Sequence, residues 1–458
     1  MAADGASPKS LYFDNLWLPS GWLRQARVRI TAGMVEAIER DARPAPQETR
    51  HLVGLPGLPN LHSHAFQRGM AGQAEFSGPD NDNFWSWRSV MYRFLDRLTP
   101  EMVRDIAAMA YVEMMESGFT RVGEFHYLHN GPDGSAYDDP GEMVAALVAA
   151  AEATGIGMTM LPVFYAHGGF GGQPPMPEQR RFITALDGFA RLHEAARRYL
   201  ARLPDAVLGI APHSLRAVTP EALRALLAIH PRGPIHIHIA EQMAEVAACL
   251  NYHGVRPVRH LLDAVGIDDR WCLVHATHIH DAEIEAVAAT GAVVGLCPIT
   301  EANLGDGLFP MPRFRQAAGR FGIGTDSNVS IDATEELRWL EYVQRLALQR
   351  RNVIGGASGE STGETLWREA LAGGSQALGV HWEKLEGSPA DFISLKAAHP
   401  AIVGDVNAGA LNQMIFAGGR GTIDHVWRRG IAHVSDGRHA GRERIVQRYR
   451  TTMERLAR

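Results

Sequence analysis

Eight apolar, strand-like runs alternate with helical periods through the centre of this 458-residue chain. One further helical period, Ala333–Arg350, follows the last run. Such alternation predicts an α/β fold, a (β/α)8 TIM-like barrel with its chemistry at the C-terminal ends of the strands. A doubly wound sheet would instead need a glycine-rich turn after the first run, where this chain reads NLHSHAF. The runs are Leu55–His64, Thr120–His126, Met158–Tyr165, Val207–His213, Ile235–Glu241, Trp271–His275, Ala292–Pro298 and Phe321–Asp326, and the helical periods between them include Glu101–Glu116, Gly141–Ala153, Glu178–Leu200 and Pro220–Ile229.

Short strand-like segments occupy both ends of the chain. Strands contributed by both termini predict one small β-sandwich domain, built from residues 1–54 and 386–440, beside a catalytic barrel of residues 55–385. A charged helical segment, residues 441–458, follows the domain. The predicted terminal strands are Leu11–Leu18, Arg27–Thr31, Met34–Ile38, Asp391–Leu395, Gln413–Phe416 and His425–Arg428.

The overall charge is modest, with a formal value of −6 and no long run of either sign. This argues against a nucleic-acid partner or a membrane surface. The chain does not open with a basic stretch followed by an apolar core, and no apolar run approaches the roughly 20 residues of a membrane span. The three cysteines lack CxxC spacing. We therefore expect a cytoplasmic, reduced protein.

Lysine is almost absent, occurring only at Lys9, Lys384 and Lys396. A Schiff-base enzyme or a Walker-type nucleotide-binding protein needs a lysine in its site. All three lysines lie far from the central runs. The chemistry of the predicted barrel therefore does not use one.

Three histidines and an aspartate end predicted barrel strands. His62 and His64 are two apart on the first strand and so share a face, while His238 ends the fifth and Asp326 the eighth. Three imidazoles and one carboxylate suit a single divalent ion, with zinc favoured and a place left for water. Iron, manganese or cobalt could also occupy such a site. Taken singly, each residue has an ordinary alternative, such as a hydrogen-bonded histidine or an aspartate capping a turn.

Two further titratable residues are candidates for catalysis. Glu241 lies three residues after His238, where a carboxylic acid could shuttle protons, although it could also simply cap the next helix. His275 ends the sixth strand and could hold a developing charge. His236 shares a face with His238 at a deeper level, which favours a supporting or packing role. The histidines at 278 and 280 are interpreted as loop residues, and Cys297 as packing.

These stretches resemble the amidohydrolase superfamily across nearly the whole chain. PGLPNLHSH, HIHIAE, LVHATH and GTDS fit its strands one, five, six and eight, and GSPADFISL resembles its usual re-entry strand. Many members bridge two metals with a carboxylated lysine on strand four, which here reads VLGIAPHSL. The resemblance therefore implies the mononuclear, deaminase-like branch, in which an HxxE on strand five is typical.

Within that branch the chain is most similar to the members that deiminate N-formimino-L-glutamate in histidine degradation. The similarity lies in HSHAFQRGMAG, NFWSWRSVMY, GFTRVGEFHYLHN, APHSLRAV and CPITEANLGDGLFP. It implies a small-molecule substrate, N-formyl-L-glutamate and ammonia as products, and a homodimer. It also implies substrate contacts from Gln67, Arg88, Tyr127, His213 and Arg216.

The residue types agree with that implication, because arginine binds carboxylates through paired charge-assisted hydrogen bonds and the substrate has two carboxylates. In the expected mechanism Asp326, with His275 as a second candidate, takes the proton of water, and Glu241 protonates the departing nitrogen. Both arginines could instead form surface ion pairs. Other functions remain open, namely a guanine, S-adenosylhomocysteine, purine or triazine deaminase, or a non-catalytic metal-binding relative. The glycine-rich segment 168–172 is a candidate for a loop that closes over the substrate.

Overall fold

The central alternation and the terminal segments both form sheets in the computed structural model, which describes residues 10–46, 48–78, 82–380 and 384–458. Lys9 lies outside the described residues. The strands, in chain order, are β1 (Ser10–Leu18), β2 (Gly21–Thr31), β3 (Met34–Glu39), β4 (Arg50–Pro56), β5 (Leu58–Ser63), β6 (Phe119–His126), β7 (Gly157–Phe164), β8 (Val207–Leu208), β9 (Ala211–Pro212), β10 (Ile235–Ile239), β11 (Trp271–His275), β12 (Val293–Leu296), β13 (Arg320–Ile323), β14 (Phe392–Leu395), β15 (Ile423–Arg428), β16 (Ile431–Ser435) and β17 (Arg438–His439).

The α-helices surround and follow these strands. Where the described helices begin at a Thr-Pro pair, the threonine side chain caps the helix and the proline occupies its first turn, as in the second and fifth helices. None of the described helices is long and apolar enough to cross a membrane. In chain order they are α1 (Phe84–Leu95), α2 (Pro100–Glu116), α3 (Glu142–Thr154), α4 (Leu186–Leu200), α5 (Pro220–Ile229), α6 (Met243–His253), α7 (Pro257–Val265), α8 (Asp281–Thr290), α9 (Pro298–Leu304), α10 (Met311–Gln316), α11 (Ala333–Leu348), α12 (Thr362–Ala377), α13 (Val406–Gln413) and α14 (Arg442–Ala457).

The barrel is closed and its strands are parallel. β5 to β8 form one run of neighbours and β10 to β13 another, with β9 continuing the fourth barrel strand beside β7. Bridges between Ser63 and Asp326 and between Ile210 and Ile235 join the two runs into a ring. The predicted (β/α)8 architecture is confirmed. Closure brings the ends of β5 and β13, far apart in sequence, next to each other.

The terminal strands form one eight-stranded sheet in the order β17-β16-β15-β14-β4-β1-β2-β3. Strands from the two ends of the chain meet where β14 pairs antiparallel with β4. A sheet assembled from both termini is thus confirmed. Lys396 follows β14 and contacts Asp436 with its ammonium group. The helix α14 packs on α2 of the barrel, where Thr452 donates a hydrogen bond to Asp105.

The predicted strand Gln413–Phe416 is wrong. This segment is helical, because α13 runs into a π-helical turn over Met414–Gly418. Asp405 caps α13 by accepting a hydrogen bond from the backbone of Asn407. The buried side chains of Leu411, Met414 and Ile415 recur at helical spacing, and so short an apolar run does not distinguish a helix from a strand.

Helix α12, which the sequence patterns did not predict, closes the bottom of the barrel. A methyl group at Gly373 would collide with the backbone of Phe321, and one at Gly374 would approach Pro59 within 2.7 Å. Glycine therefore lets this helix lie directly against β13 and β5. The indole of Trp367 also donates a hydrogen bond to the carbonyl of Pro56.

Candidate metal centre and substrate pocket

Four buried side chains converge at the C-terminal end of the barrel. His62 and His64 come from the end of β5, His238 from β10, and Asp326 follows β13. The Nε2 atoms of His62 and His238 are 3.0 Å apart. Asp326 Oδ1 lies 3.5 Å from His62 Nε2 and 3.2 Å from His64 Nε2. The structure thus brings together the four residues that the sequence suggested as metal ligands.

The donor set fits a divalent ion. Ligands bound to zinc at about 2.0–2.1 Å in a tetrahedron lie about 3.3 Å from one another, close to the separations seen here. His64 Nδ1 lies 2.7 Å from the carbonyl oxygen of Phe125, which can only accept a hydrogen bond. The proton therefore resides on Nδ1, and the Nε2 lone pair faces the cluster. His62 also directs Nε2 at its neighbours, while its buried Nδ1 has no partner.

Local backbone geometry contributes to this convergence. His275, Ala276 and Asp326 have positive φ angles of 69°, 47° and 44°. Non-glycine residues adopt this left-handed region at a cost, and strain of this kind concentrates at functional sites. The side chain of Asn328 holds two strand ends together by donating to the carbonyls of His64 and Asp326. Sequence reasoning did not identify Asn328, although it follows the quoted GTDS directly.

Glu241 and His275 lie beside the four ligands. His275 Nε2 is 3.8 Å from both Glu241 Oε1 and Asp326 Oδ2. Burial raises the pKa of the Glu241 carboxyl, and Asp326 raises it further. Burial alone would lower the pKa of His275, but the carboxylates of Glu241, Glu301 and Asp326 outweigh it and raise that pKa. The raised pKa of Glu241 favours a carboxyl that retains a proton, and that of His275 favours a ring that carries a positive charge.

Glu301 is a contact that sequence reasoning missed. Its Oε1 lies 3.2 Å from His275 Nδ1 and accepts a hydrogen bond from the backbone of Cys297 at the start of α9. A carboxylate on Nδ1 fixes the ring orientation and leaves Nε2 facing the cluster. The only sequence signal was its place within CPITEANLGDGLFP, which did not specify a partner.

The five predicted substrate residues line one pocket above the cluster, together with Glu241 and His275. Gln67 donates to the hydroxyl of Tyr127 at 2.7 Å, while its own Oε1 is buried without a partner. His213 Nδ1 lies 3.1 Å from the hydroxyl oxygen of Ser214. The remaining wall is aromatic and includes Phe84, Trp87, Tyr92, Tyr165 and Phe182.

Arg88 and Arg216 bring two positive charges to this pocket from different elements. Within the described chain neither guanidinium forms an ion pair or hydrogen bond, and Arg216 Nε is buried without a partner. The indole ring of Trp85 contacts both, its centroid 4.5 Å from the Arg88 guanidinium carbon and 5.9 Å from that of Arg216. Trp85 is 37% exposed, so core burial does not explain its position. It was not among the predicted site residues.

Other candidates lie outside the cluster. His236 Nε2 contacts the carbonyl of Ala377 in α12 at 2.7 Å, on the floor of the barrel. His280 caps α8 by accepting from the backbone of Glu283. Cys297 is buried, and burial raises the pKa of its thiol. The segment 168–172 is not among the residues that line the pocket.

Comparison with known proteins gives consistent matches. The model of the amidohydrolase family matches residues 53–432. Formimidoylglutamate deiminase of Pseudomonas aeruginosa is 47% identical over 443 residues, covering 96% of this chain and 98% of the relative. The 8-oxoguanine deaminase of the same organism is 31% identical over 325 residues, covering 69% of each chain. The crystal structure of an amidohydrolase from Brucella melitensis matches with a TM-score of 0.94 at 47% identity, covering 98% of this chain and 100% of that one.

Proposed function

Because the chain belongs to the amidohydrolase family, we propose that it hydrolyses the formimino group of N-formimino-L-glutamate, releasing ammonia and N-formyl-L-glutamate. This is the activity of formimidoylglutamate deiminase, as the relative that is 47% identical along almost the full length of both chains is named. The enzyme is thus a hydrolase of a carbon–nitrogen bond in a linear amidine. The proposal places it in histidine degradation.

The observation that carries the substrate assignment is the pair of pocket arginines, whose guanidinium groups form no ion pair or hydrogen bond in the described chain. A buried or half-buried guanidinium without a partner is unfavourable. We therefore expect Arg88 and Arg216 to bind anionic groups of a ligand. Each can bind one carboxylate of glutamate through a forked pair of hydrogen bonds. A neutral purine, as in the 8-oxoguanine deaminase relative, would leave both charges unsatisfied. This favours the dicarboxylate over the purine alternative.

One divalent ion, zinc, is proposed to bind between His62, His64, His238 and Asp326. Three imidazoles and one carboxylate are ligands that zinc prefers. When bound, the ion would lower the pKa of a water molecule and so make a nucleophile available at neutral pH. The same residues also accept iron, manganese or cobalt, so the choice of zinc is tested by metal analysis of the purified enzyme.

The proton transfers are assigned to side chains around the ligands. Asp326 accepts the proton released by the attacking water, with His275 close enough to share it. Glu241, whose pKa is raised by burial, delivers a proton to the terminal nitrogen. The protonated nitrogen leaves as ammonia when the tetrahedral intermediate collapses. The C–N bond to glutamate remains intact.

Anchoring of the glutamate end determines which nitrogen leaves. With the two carboxylates held by Arg88 and Arg216, the formimino group points down towards the cluster. Gln67, Tyr127 and His213 are proposed to contact the substrate between these two ends. Their polar atoms face the same pocket, and Gln67 Oε1 has no partner in the described protein.

An ammonia-release assay tests the function. Purified enzyme is compared on N-formimino-L-glutamate, 8-oxoguanine, guanine and S-adenosylhomocysteine, after metal removal and after zinc is restored. We expect turnover only with N-formimino-L-glutamate and only with metal. Preference for a purine would overturn the substrate assignment. No turnover with any substrate despite bound metal would favour the non-catalytic alternative.

The location and assembly of the enzyme are also proposals. A small soluble substrate favours the cytoplasm, which fractionation of the source cells would check. We further propose a homodimer, and light scattering of the purified protein would distinguish it from a monomer.

A further inference from the structure

A β-bulge in the terminal sheet brings two consecutive polar side chains together. In the β14–β15 pair Ile393 faces Val426 and Leu395 faces Ile423, so one residue of β14 opposes both Asp424 and His425. A bulge re-aims side chains that would otherwise point to opposite faces of a strand. His425 Nδ1 consequently lies 3.0 Å from Asp424 Oδ2.

A second imidazole reaches this bulge from a different strand. His51 lies on β4, separated from β15 by β14, and its ring centre is 4.9 Å from that of His425. One ligand atom from each of His51, Asp424 and His425 lies within 4.8 Å of the others. Trp427 stacks on His425 at 5.2 Å and meets His51 edge-on at 4.9 Å, which holds both rings in place.

The polar atoms of this cluster lack ordinary partners. His51 is only 6% exposed, yet neither of its ring nitrogens forms a hydrogen bond within the described chain. His425 Nδ1 is buried and also makes no hydrogen bond. Asp424 Oδ2 lies 3.0 Å from it, but the angle between the two groups does not suit a hydrogen bond. Asp424 has no lysine or arginine partner among the described residues. Buried polar atoms are normally satisfied, and within this cluster His425 Nδ1 is the buried atom for which a ligand would supply the partner.

The chemistry of the three residues identifies the class of that ligand. A neutral imidazole offers a ring-nitrogen lone pair to a metal ion, and one ligand atom of each of the three residues lies within reach of the others. Imidazole nitrogens favour zinc and neighbouring transition metals, whereas magnesium and calcium prefer sites built from oxygen alone. The partly exposed carboxylate of Asp424 supplies part of the compensating negative charge.

We propose that His51, Asp424 and His425 form a second binding site for a divalent transition metal, zinc in particular, with water completing its coordination. The site lies on the terminal sheet, apart from the barrel cluster, and does not depend on the proposed function. A bound ion would link β4 to β15 across β14, two strands that do not pair directly. It would therefore stabilise the contact between the two ends of the chain.

Metal titration of the full-length holoenzyme tests the proposal. Enzyme containing one equivalent of zinc is titrated with Zn²⁺, and separately with Co²⁺, whose visible d–d absorption reports coordination by protein ligands. We expect the wild-type protein to bind a second equivalent and its Tm to rise as that equivalent binds. Binding of only one equivalent at saturating zinc would overturn the proposal and leave the cluster as aromatic packing.

Variants locate the second equivalent. Asp424→Asn and His425→Ala change partly exposed side chains and should weaken the second site at least about tenfold, since loss of even an outer-shell partner costs about 10–100-fold. His433→Ala, on neighbouring β16, is the matched control and should retain both equivalents. Retained first-equivalent binding would show that each variant is folded. If Asp424→Asn and His425→Ala still bound the second equivalent normally, the site would be elsewhere and the proposal wrong.

Discussion

Glu241 is the side chain whose chemistry is easiest to isolate by substitution. Glu241→Gln keeps the size and hydrogen-bonding shape of the side chain but removes the proton that it is proposed to deliver. We expect kcat to fall by about 10²–10⁴-fold with metal content unchanged. Steady-state ammonia release and metal analysis of the same preparation would measure both.

Glu245→Gln provides the matched control for that substitution. Glu245 is also buried, and its carboxylate accepts a hydrogen bond from the backbone of Glu241, but it does not line the pocket. Its substitution should affect kcat much less. Near-normal turnover by Glu241→Gln would show that another group supplies the proton.

The two pocket arginines should act on substrate binding more than on turnover. Arg216→Ala removes charge-assisted hydrogen bonds worth about 1.5–3 kcal/mol, which corresponds to a rise in KM of about 10–150-fold. Arg224→Ala, an exposed arginine on α5, is the control and should leave KM unchanged. A fall in kcat at unchanged KM would contradict the assigned role. Initial-rate kinetics on N-formimino-L-glutamate separates the two parameters.

Trp85 should influence KM through its contacts with the two arginines. Trp85→Leu removes two cation–π contacts worth about 0.5–1 kcal/mol each, so we expect KM to rise by up to about 5–30-fold at constant kcat. Trp85→Phe should restore part of the affinity, because it retains an aromatic face. An equal effect of Phe and Leu at this position would show that the contact is simple packing.

At this scale the sequence identified the residues whose position on a strand determines their direction. His62 and His64 are recognisable because two residues of separation put both on one face at a strand end. Glu301, Asn328 and Trp85 were not identified, because each also contacts a site residue from a distant part of the chain, respectively His275, His64 and Arg216. Their contacts depend on how the barrel closes and where the loops pack.

Among the elements, β10 and α12 are joined at the barrel floor by His236. The folded protein holds the pKa of His236 at about 4, chiefly because the ring is buried, against an ordinary value of about 6.5. The unfolded chain therefore binds this proton more strongly. The stability contributed by His236 is complete above about pH 6.5 and is lost as the pH falls towards 4.

His236→Asn tests this pH dependence. At pH 7 the free energy of unfolding of the variant should be about 1–3 kcal/mol lower than that of the wild type, because the hydrogen bond to Ala377 is removed from a buried site. The difference in unfolding free energy between variant and wild type should become smaller as the pH falls from 6.5 towards 4. Denaturant unfolding over a series of pH values measures it. A difference in unfolding free energy that does not change with pH would contradict the prediction that His236 is neutral and buried.

Sequence periodicity located the barrel strands well and the last helices poorly. The predicted run Trp271–His275 coincides with β11, because an apolar strand between polar loops leaves few alternatives. Helix α12 was missed because its glycines read as loop, and their role is visible only against β13 and β5. The strand predicted at Gln413–Phe416 was wrong because a run of four mostly apolar residues fits the periodicity of a strand and that of a helix equally well.

For the whole molecule, a buried ion-pair network connects the barrel to the terminal sheet. Asp205, before β8, accepts from Arg121 of β6 at 2.6 Å and from Arg428 of β15 at 2.8 Å. Arg428 also pairs with Asp391 beside β14. The network crosses the boundary that we propose between the barrel, residues 55–385, and the domain of residues 1–54 and 386–440 with its helix 441–458.

Removing the shared carboxylate should destabilise the protein as a unit. Asp205→Asn leaves the buried guanidinium of Arg121 without a counterion and Arg428 with Asp391 alone, for which we expect a loss of about 3–5 kcal/mol in unfolding free energy. Asp187→Asn, which breaks an exposed pair with Arg191, should cost less than about 1 kcal/mol. Unfolding monitored by circular dichroism measures both. A small effect at Asp205 would mean that water or another group compensates for the lost charge.

The near-absence of lysine has a practical consequence for handling this enzyme. Of the two lysines within the described residues, Lys384 follows α12 and Lys396 follows β14, whereas the cations at the pocket are arginines. Amine-reactive reagents modify lysine and leave arginine unchanged. Coupling to an activated support or labelling with a dye ester would therefore modify these lysines and leave the arginines of the pocket unmodified. The mouth of the barrel would stay open to substrate without any engineered tag.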